Sequence, residues 1–221
     1  MDTRQKAEGS NGAWRGALTL GLVALIGTAV LAGVNQITRQ PIQEQERRAV
    51  LKQLSELIAP ERYTNVLYDD YYSFTDKTWF PSGQTVTIYR ARTRAEPVAV
   101  VLRLAATDGY SGNIQLLIGI NADGSLSGVR VTSHKETPGL GDAIETGKSN
   151  WILGFSGLSL THPDPASWAV KRDGGAFDQF TGATITPRAV VKAVHRALQY
   201  YAANKDQVYA HKADTAEPPD S

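Results

Sequence analysis

The sequence predicts an α+β domain with a mainly antiparallel sheet flanked by helices, placed behind one N-terminal transmembrane helix. Three features lead to this prediction. An uncharged apolar segment lies near the N-terminus, short runs rich in β-branched residues follow one another in the centre, and an amphipathic helical pattern closes the domain. With 221 residues, the chain has room for one hydrophobic core and an appendage.

Composition excludes several classes of function. The net charge is +1, and the basic residues are interspersed with acidic ones, which is not the pattern of a nucleic-acid-binding surface. The chain has no cysteine, which excludes disulfides, iron–sulfur ligation by this chain and thiolate metal sites. Any redox chemistry therefore requires a bound organic cofactor or a metal with other ligands.

The segment Gly16–Thr38 contains no charged residue, and we interpret it as a transmembrane helix. Its apolar centre, Ala17–Val34, would form about 27 Å of helix, close to the roughly 30 Å of a hydrocarbon core. The alternative is a cleavable signal peptide, with small residues near Ala32 at the cleavage site. The length of the apolar run favours retention. Basic residues within positions 1–15 favour a cytoplasmic N-terminus, so we expect the globular part outside the cytoplasmic membrane.

Residues 39–60 are predicted to form a linker. Within it, Ile42–Ile58 has the periodicity of an amphipathic helix, and Pro60 is expected to end that helix. The following region, Glu61–Ser82, is rich in aromatic residues, and we interpret it as irregular structure whose rings pack in the domain.

Four runs rich in β-branched residues are separated by turn signals, which predicts consecutive strands. Asn121-Ala-Asp-Gly124 has the composition of a hairpin turn between the last two runs. The four predicted strands are Thr85–Tyr89, Pro97–Leu104, Ile114–Asn121 and Leu126–Ser133.

Helical and turn segments follow the last strand. Pro138-Gly-Leu-Gly141 predicts a sharp bend, and Asp142–Gly147 has the pattern of a short helix. The last regular element is predicted from Pro187 to about Asn204, with valine and leucine residues on one face. The main domain is therefore expected over residues 61–206, with a flexible polar tail at 207–221.

The most informative loop runs from Asp178 to Thr184 and leads directly into the last helix. Thr186 is predicted to cap that helix, with Pro187 at its first position. Because helix N-termini attract anions, the hydroxyls of Thr181, Thr184 and Thr186 could bind a phosphate or be esterified by it. A capped turn without a ligand is the structural alternative.

A second candidate site follows the last strand. The turn containing Glu136, Thr137, Leu140 and Gly141 offers backbone groups, a hydroxyl and a carboxylate to a closely approaching ligand. The same string is also compatible with a purely structural turn. Other motifs are missing: no glycine-rich dinucleotide motif follows a strand, the histidines have no metal-ligand spacing, and no nucleophile elbow is present. We therefore assign no metal and no catalytic residue.

Taken together, these stretches resemble the G subunit of the Rnf (also called Rsx) ion-translocating electron transport complex. The resemblance extends from the membrane segment to the last helix. The matching stretches are Asn35–Thr38, Pro60–Tyr63, Asp108–Gly112, Ile114–Leu117, His134–Asp142, Trp168–Lys171 and Phe177–Val190.

The resemblance implies an FMN-binding domain with FMN attached covalently, its phosphate esterified to Thr184. It further implies a flavin transferase that recognises Asp178 together with Thr181, Gly182, Ala183 and Thr184. The isoalloxazine would lie against the turn after the last strand. Its expected neighbours are Glu136, Thr137, Leu140 and Gly141.

By the same resemblance, the chain would be an electron-carrying subunit of a membrane-bound ferredoxin:NAD oxidoreductase, and not a complete enzyme alone. It would span the bacterial inner membrane once, contact lipid and the other Rnf subunits, and hold its domain on the periplasmic side. Two alternatives stay open at this point. One is the C subunit of the sodium-translocating NADH:quinone oxidoreductase, and the other is a flavin-free membrane-anchored assembly module.

Overall fold

The computed structural model of the protein describes residues 14, 16–18, 20–30, 47–94 and 96–214. The chain divides into two compact units, Met1–Ala49 and Val50–Ser221. In the first unit, residues 16–18 and 20–30 are helical. Within the described residues, we find no helix with both the length and the apolar character that crossing a membrane requires. Residues 31–46, which include the end of the predicted span and the start of the predicted linker helix, lie outside the described residues.

The second unit is built on a five-stranded antiparallel sheet in which sequential strands are neighbours. The four predicted strands are confirmed, and the last two have the predicted bounds. The hairpin turn is confirmed as well: the Asn121 N–H donates to the Ser125 carbonyl at 2.8 Å, and Gly124 has a φ of +89°. The strands are β1 (Tyr71–Thr75), β2 (Thr85–Thr93), β3 (Glu96–Ala106), β4 (Ile114–Asn121) and β5 (Leu126–Ser133).

Strand β1 was not predicted. Its residues lie within Glu61–Ser82, for which the sequence predicted irregular structure, and that prediction is wrong for Tyr71–Thr75. Strand β1 is a short edge strand, and Tyr71 pairs with Tyr89 of β2. Aromatic residues suit strands as well as they suit packed loops, so composition does not separate the two in so short a run.

The sheet is covered on both faces. The C-terminal helix, Ile185–Ala210, packs on one face through residues such as Val190, Val194 and Leu198. On the other face lie Leu54, Leu57, Ile58 and Leu67, of which Leu54 belongs to the helical segment 47–55. Burial on both faces explains why β3 and β4 read as almost continuous apolar runs.

Leu57 needs two glycines in the sheet beneath it. Gly119 and Gly128 are paired across β4 and β5. A Cβ atom on Gly119 would lie 3.2 Å from Leu57 Cβ, and one on Gly128 would lie 3.1 Å from Leu57 Cδ2. The two missing side chains therefore let the covering segment approach the sheet closely.

The segments between β5 and the C-terminal helix form short 3₁₀ helices. The predicted helix Asp142–Gly147 is in fact the 3₁₀ helix Gly141–Ile144, which ends three residues earlier than expected. The apolar piece Trp151–Phe155 is also a 3₁₀ helix, with Ile152 and Phe155 fully buried. The remaining 3₁₀ helices are Pro60–Arg62, Pro165–Ser167 and Lys171–Asp173.

The C-terminal helix differs from its prediction at both ends. It begins at Ile185, so Thr186 and Pro187 lie inside its first turn, and the predicted capping role of Thr186 is wrong. It ends at Ala210, beyond the predicted end near Asn204. Val208 is fully buried and the Asp214 N–H donates to the Tyr71 carbonyl at 2.8 Å, so residues 207–214 of the predicted flexible tail pack on the domain. The rest of that predicted tail, residues 215–221, lies outside the described residues.

Two arginines of β2 explain this extension. Arg90, only 1% exposed, donates to the carbonyls of Val208 and His211, and Arg92 Nη2 donates to the Tyr209 carbonyl at 2.7 Å. These carbonyls lack partners within the helix and carry the negative end of its dipole, so guanidinium groups stabilise them. Asp70 supplies the counter-charge, with Arg90 Nε at 2.7 Å and Arg92 Nε at 2.9 Å.

Replacing Asp70 with asparagine should therefore destabilise the domain. The variant leaves the buried Arg90 without its counter-charge, which we expect to lower the free energy of unfolding by about 2–3 kcal/mol. This is less than the roughly 3–5 kcal/mol for a fully buried pair, because Asp70 is 22% exposed. Urea unfolding followed by tryptophan fluorescence measures the difference. The control is Glu96→Gln, which removes a carboxylate at the exposed start of β3 and should change the free energy by less than about 0.5 kcal/mol. Equal effects of the two substitutions would contradict the role given to Asp70.

Candidate functional site

A cavity of about 370 Å³ opens where three segments meet: the loop after β3, the turn after β5 and the start of the C-terminal helix. Its size lies within the range of about 300–1,000 Å³ that small-molecule sites occupy. Seven of the eight residues predicted to bind a cofactor line it. They are Glu136, Thr137, Leu140, Gly141, Gly182, Ala183 and Thr184.

The first wall of the cavity is a tight turn from Thr137 to Leu140. The N–H groups of Leu140 and Gly141 donate to the Thr137 carbonyl at 3.1 and 3.0 Å. Pro138 occupies the second position, and Gly139 has a φ of +77° at the third, which is the arrangement of a type II turn. The sharp bend predicted from the sequence is confirmed.

The side chain of Asp142 stabilises this turn. Its Oδ1 accepts the Gly139 N–H at 2.8 Å, and Lys148 Nζ lies 3.4 Å from its Oδ2. The hydrogen bond from Gly139 and, after it, the Lys148 side chain lower the pKa of the Asp142 carboxyl from its usual value. The turn is therefore held by an ionised carboxylate at neutral pH.

The second wall is a turn from Phe180 to Ala183. The Ala183 N–H donates to the Phe180 carbonyl at 3.1 Å, and Gly182 has a φ of +82°, so this turn also needs a glycine at its third position. A Cβ atom on Gly182 would lie 3.3 Å from Leu140 Cδ2. The two turns therefore touch each other across the edge of the cavity.

Aromatic packing anchors the loop that carries the second turn. Phe177 stacks on Phe155 with ring centroids 4.9 Å apart, and Phe180 meets Trp151 edge-on at 5.1 Å. Trp151 Nε1 also donates to the Asp178 carbonyl at 2.9 Å. The loop is thus fixed by its rings while its polar side chains face outward.

Glu136 connects the walls of the cavity. Its side chain is buried, with Oε1 accepting the Ser111 N–H at 3.0 Å and Oε2 accepting the Thr186 hydroxyl at 2.5 Å. Its own N–H donates to His134 Nδ1 at 3.0 Å. One carboxylate therefore joins the loop after β3, the turn after β5 and the first turn of the helix.

The three candidate hydroxyls have different surroundings. Thr186 is fully buried and its hydroxyl bonds to Glu136. Thr184 lines the cavity, immediately before the helix; its carbonyl accepts the Arg188 N–H at 3.3 Å, but its hydroxyl does not cap the helix. Thr181 is exposed and does not line the cavity. Thr184 is thus the candidate that lines the cavity at the helix N-terminus without having its hydroxyl bonded to Glu136.

Asp178, which is predicted to be recognised by the transferase, lies outside the cavity, as Thr181 does. Its side chain is 68% exposed, and Oδ1 is 2.5 Å from Lys171 Nζ. The structure therefore places Asp178 and Thr181 on the outer surface of the loop, where another macromolecule can reach them.

Two further residues line the cavity and were not predicted to do so: Tyr110 and Ile185. Tyr110 and Ile185 are 69% and 43% exposed, and Leu140 beside them is 44% exposed. Exposed large apolar side chains around one cavity offer a surface for a flat apolar ligand. The sequence contains one signal that could have identified Tyr110, which is its position between two glycines in Asp108–Gly112. Hydrophobic periodicity does not indicate that this residue lines a cavity.

Family models and known relatives match most of the chain. A family model described as the FMN-binding domain matches residues 109–199, and a model described as the RnfG N-terminal region matches residues 10–57. The G subunit of the ion-translocating oxidoreductase complex of Pseudomonas aeruginosa is 50% identical over 196 residues, covering 89% of this chain and 92% of that protein. Its counterpart in Pseudoalteromonas atlantica is 44% identical over 196 residues, covering 89% and 91%. Among solved structures, Shewanella oneidensis NqrC is similar with a TM-score of 0.46 and 22% identity, over 70% of this chain and 72% of that one.

Gly141 provides a test of the wall of the cavity. A Cβ atom there would lie 2.9 Å from Glu136 Cβ and 3.0 Å from Thr186 Oγ1. We expect Gly141→Ala to force these groups apart and to lower the free energy of unfolding by about 1–3 kcal/mol, as overpacked cores do. Thermal or urea unfolding measures the loss. Gly147→Ala is the matched control, because a Cβ atom on Gly147 meets nothing within 4 Å. A loss in the control as large as that in Gly141→Ala would refute the close approach.

Proposed function

The chain belongs to the RnfG family, the G subunits of ion-translocating oxidoreductase complexes, and from this premise we propose that it carries FMN joined through its phosphate to Thr184. The resemblance to this Rnf component is thereby confirmed. The match to the N-terminal region model at residues 10–57 favours it over the C subunit of the sodium-translocating NADH:quinone oxidoreductase. The single observation that carries the proposal is the position of Thr184, which lines the cavity beside the turn after β5.

The residues of the cavity fit the parts of FMN. Tyr110, Leu140 and Ile185 supply apolar surface at the mouth, which suits a flat ring system. The first turn of the C-terminal helix supplies N–H groups at Ile185 and Thr186 and the positive end of the helix dipole, which suits a phosphate. Both features face one cavity, so a single ligand could use them together.

Only one of the candidate threonines suits esterification. The hydroxyl of Thr186 is buried and bonded to Glu136, and Thr181 lies away from the cavity. Thr184 is half-buried at the cavity wall. Gly182 and Ala183, which precede it, have little or no side chain to obstruct an approaching enzyme.

We propose that a flavin transferase makes the attachment from FAD. The Thr184 oxygen forms a new bond to the phosphorus next to the riboflavin, the bond between the two phosphates of FAD breaks, AMP leaves, and the hydroxyl proton passes to a base. The exposed carboxylate of Asp178 and the sequence Thr181–Thr184 would be the recognised surface. The apolar packing of Phe177 and Phe180 holds that surface in place.

The proposed role is electron transfer within a multi-subunit membrane complex that couples ferredoxin and NAD oxidoreduction to ion movement. Bound FMN supplies one- and two-electron chemistry, while the protein positions it and sets its electrostatic surroundings. The chain would work with the other Rnf subunits, anchored in lipid by one span, with its domain on the periplasmic side of the inner membrane. An ester bond would prevent loss of the cofactor into that open compartment.

The attachment is tested by Thr184→Val in a host that contains the transferase. We expect the wild-type protein to show flavin fluorescence after denaturation and an intact mass raised by one attached FMN, and the variant to show neither. Thr184→Ser should keep some covalent flavin because it keeps the hydroxyl. Thr78→Val, which alters an exposed threonine outside the cavity lining, should keep it fully. Unmodified wild-type protein from that host would instead support a flavin-free assembly module.

The recognition role of Asp178 is tested by Asp178→Asn. If the carboxylate makes a charge-assisted hydrogen bond to the transferase, its loss should slow flavin attachment by about 10- to 100-fold, the equivalent of roughly 1.5–3 kcal/mol. The initial rate of attachment to purified apo-protein, measured with FAD and transferase, gives the comparison. Asp173→Asn is the matched control, because Asp173 is a nearby exposed carboxylate that pairs with Arg188 at 2.6 Å. Equal slowing by both substitutions would rule out a specific role for Asp178.

A further inference from the structure

Glu136 joins three segments of the fold, and it combines three properties at the cavity. It is only 4% exposed, it lines the cavity, and both of its carboxylate oxygens accept hydrogen bonds from uncharged donors. The ion pairs found in the described part of the chain do not include it. A buried carboxylate without a cation is costly to the fold, which invites a functional explanation.

Both oxygens of this carboxylate accept hydrogen bonds. The Thr186 hydroxyl donates to Oε2 at 2.5 Å, a distance typical of an O–H donor and a charged oxygen. The Ser111 N–H donates to Oε1 at 3.0 Å, so neither oxygen acts as a donor in these contacts. These donors stabilise the negative charge without neutralising it.

We propose that Glu136 sets the redox potential of the flavin in this cavity by placing a negative charge in its wall. This inference rests on the proposed function, because it concerns the cofactor carried by Thr184. Reduction adds electrons to the ring system, and a nearby negative charge makes that addition less favourable. The charge of Glu136 therefore lowers the potential.

The dimensions of the cavity make the effect measurable. A cavity of about 370 Å³ would be about 9 Å across if it were spherical, so any ligand within it lies close to its wall. Two unit charges about 12 Å apart, at an effective dielectric constant of about 20, change an equilibrium roughly tenfold. For a two-electron couple, a tenfold change corresponds to about 30 mV.

The decisive variant is Glu136→Gln in the full-length flavinylated protein. Glutamine has nearly the same shape, so its oxygen can accept the Ser111 N–H and its amide can donate to the Thr186 oxygen. We expect covalent flavin to remain attached in this variant. We also expect the midpoint potential to become more positive, by an amount that corresponds to a tenfold or larger change in the equilibrium constant of two-electron reduction. Spectroelectrochemical titration at one fixed pH measures the potential, after fluorescence of the denatured protein has verified attachment.

Three controls separate charge from structure. Glu145→Gln removes a carboxylate that bonds to His134 outside the cavity lining and should leave the potential unchanged. Glu136→Asp keeps the charge and should shift the potential by less than half as much as Glu136→Gln. Thr186→Val removes a donor but leaves the charge less compensated, so the potential should fall.

The outcomes distinguish the two proposals. If flavin is attached to the wild type and to Glu136→Gln but their potentials agree, the role of Glu136 is wrong and the proposed function stands. The same conclusion follows if Thr186→Val raises the potential as Glu136→Gln does, since disturbed packing would then explain both. If Glu136→Gln does not fold, Thr186→Val decides alone, and a potential that is not lowered overturns the inference. If the wild type carries no covalent flavin, the proposed function fails and this inference fails with it.

Discussion

The buried hydrogen bond from Thr186 to Glu136 ties the first turn of the C-terminal helix to the turn after β5, and the position of Thr184 depends on this first turn. Thr184 precedes the helix directly, so a shift of the first turn would move its hydroxyl relative to the turn after β5. The tight approach of Gly141 to both Glu136 and Thr186 leaves little room for such a shift. The opposite end of the helix is held by Arg90 and Arg92, whose guanidinium groups bond to its last carbonyls.

The attachments at its two ends help to fix the position of the helix along its own axis. The apolar face of the helix buries the central strands, while charged or polar residues from β2 and from the turn after β5 hold its two ends. Burial of apolar area is not directional, so it defines the position of a helix along its own axis less sharply than hydrogen bonds to the two ends do. A site assembled from separate loops therefore gains a defined geometry from the helix to which those loops are tied.

The sequence predicted the features that depend on local chemistry. β-branched runs and a turn signal located four strands, and Pro138-Gly139 marked one of the two turns that wall the cavity. Two of the failures depend on partners far away in the chain. The helix reaches Ala210 because arginines more than a hundred residues earlier bind its carbonyls, and Thr186 is not a cap because Glu136 accepts its hydroxyl. Tyr110 reaches the cavity through the packing of a loop, which periodicity does not describe.

An ester bond would explain why so open a site can serve a cofactor. A helix dipole contributes only about 0.3–1 kcal/mol at an exposed position, which is too little to retain a ligand permanently. A noncovalent site would therefore need to enclose most of the ring, yet here Tyr110, Leu140 and Ile185 remain substantially exposed. If Thr184 supplies the attachment, as proposed, the mouth could stay open, and an exposed edge of the cofactor would allow another redox centre to approach closely. Retention of the cofactor would then not depend on its enclosure, and the wall that contains Glu136 could adjust its redox potential.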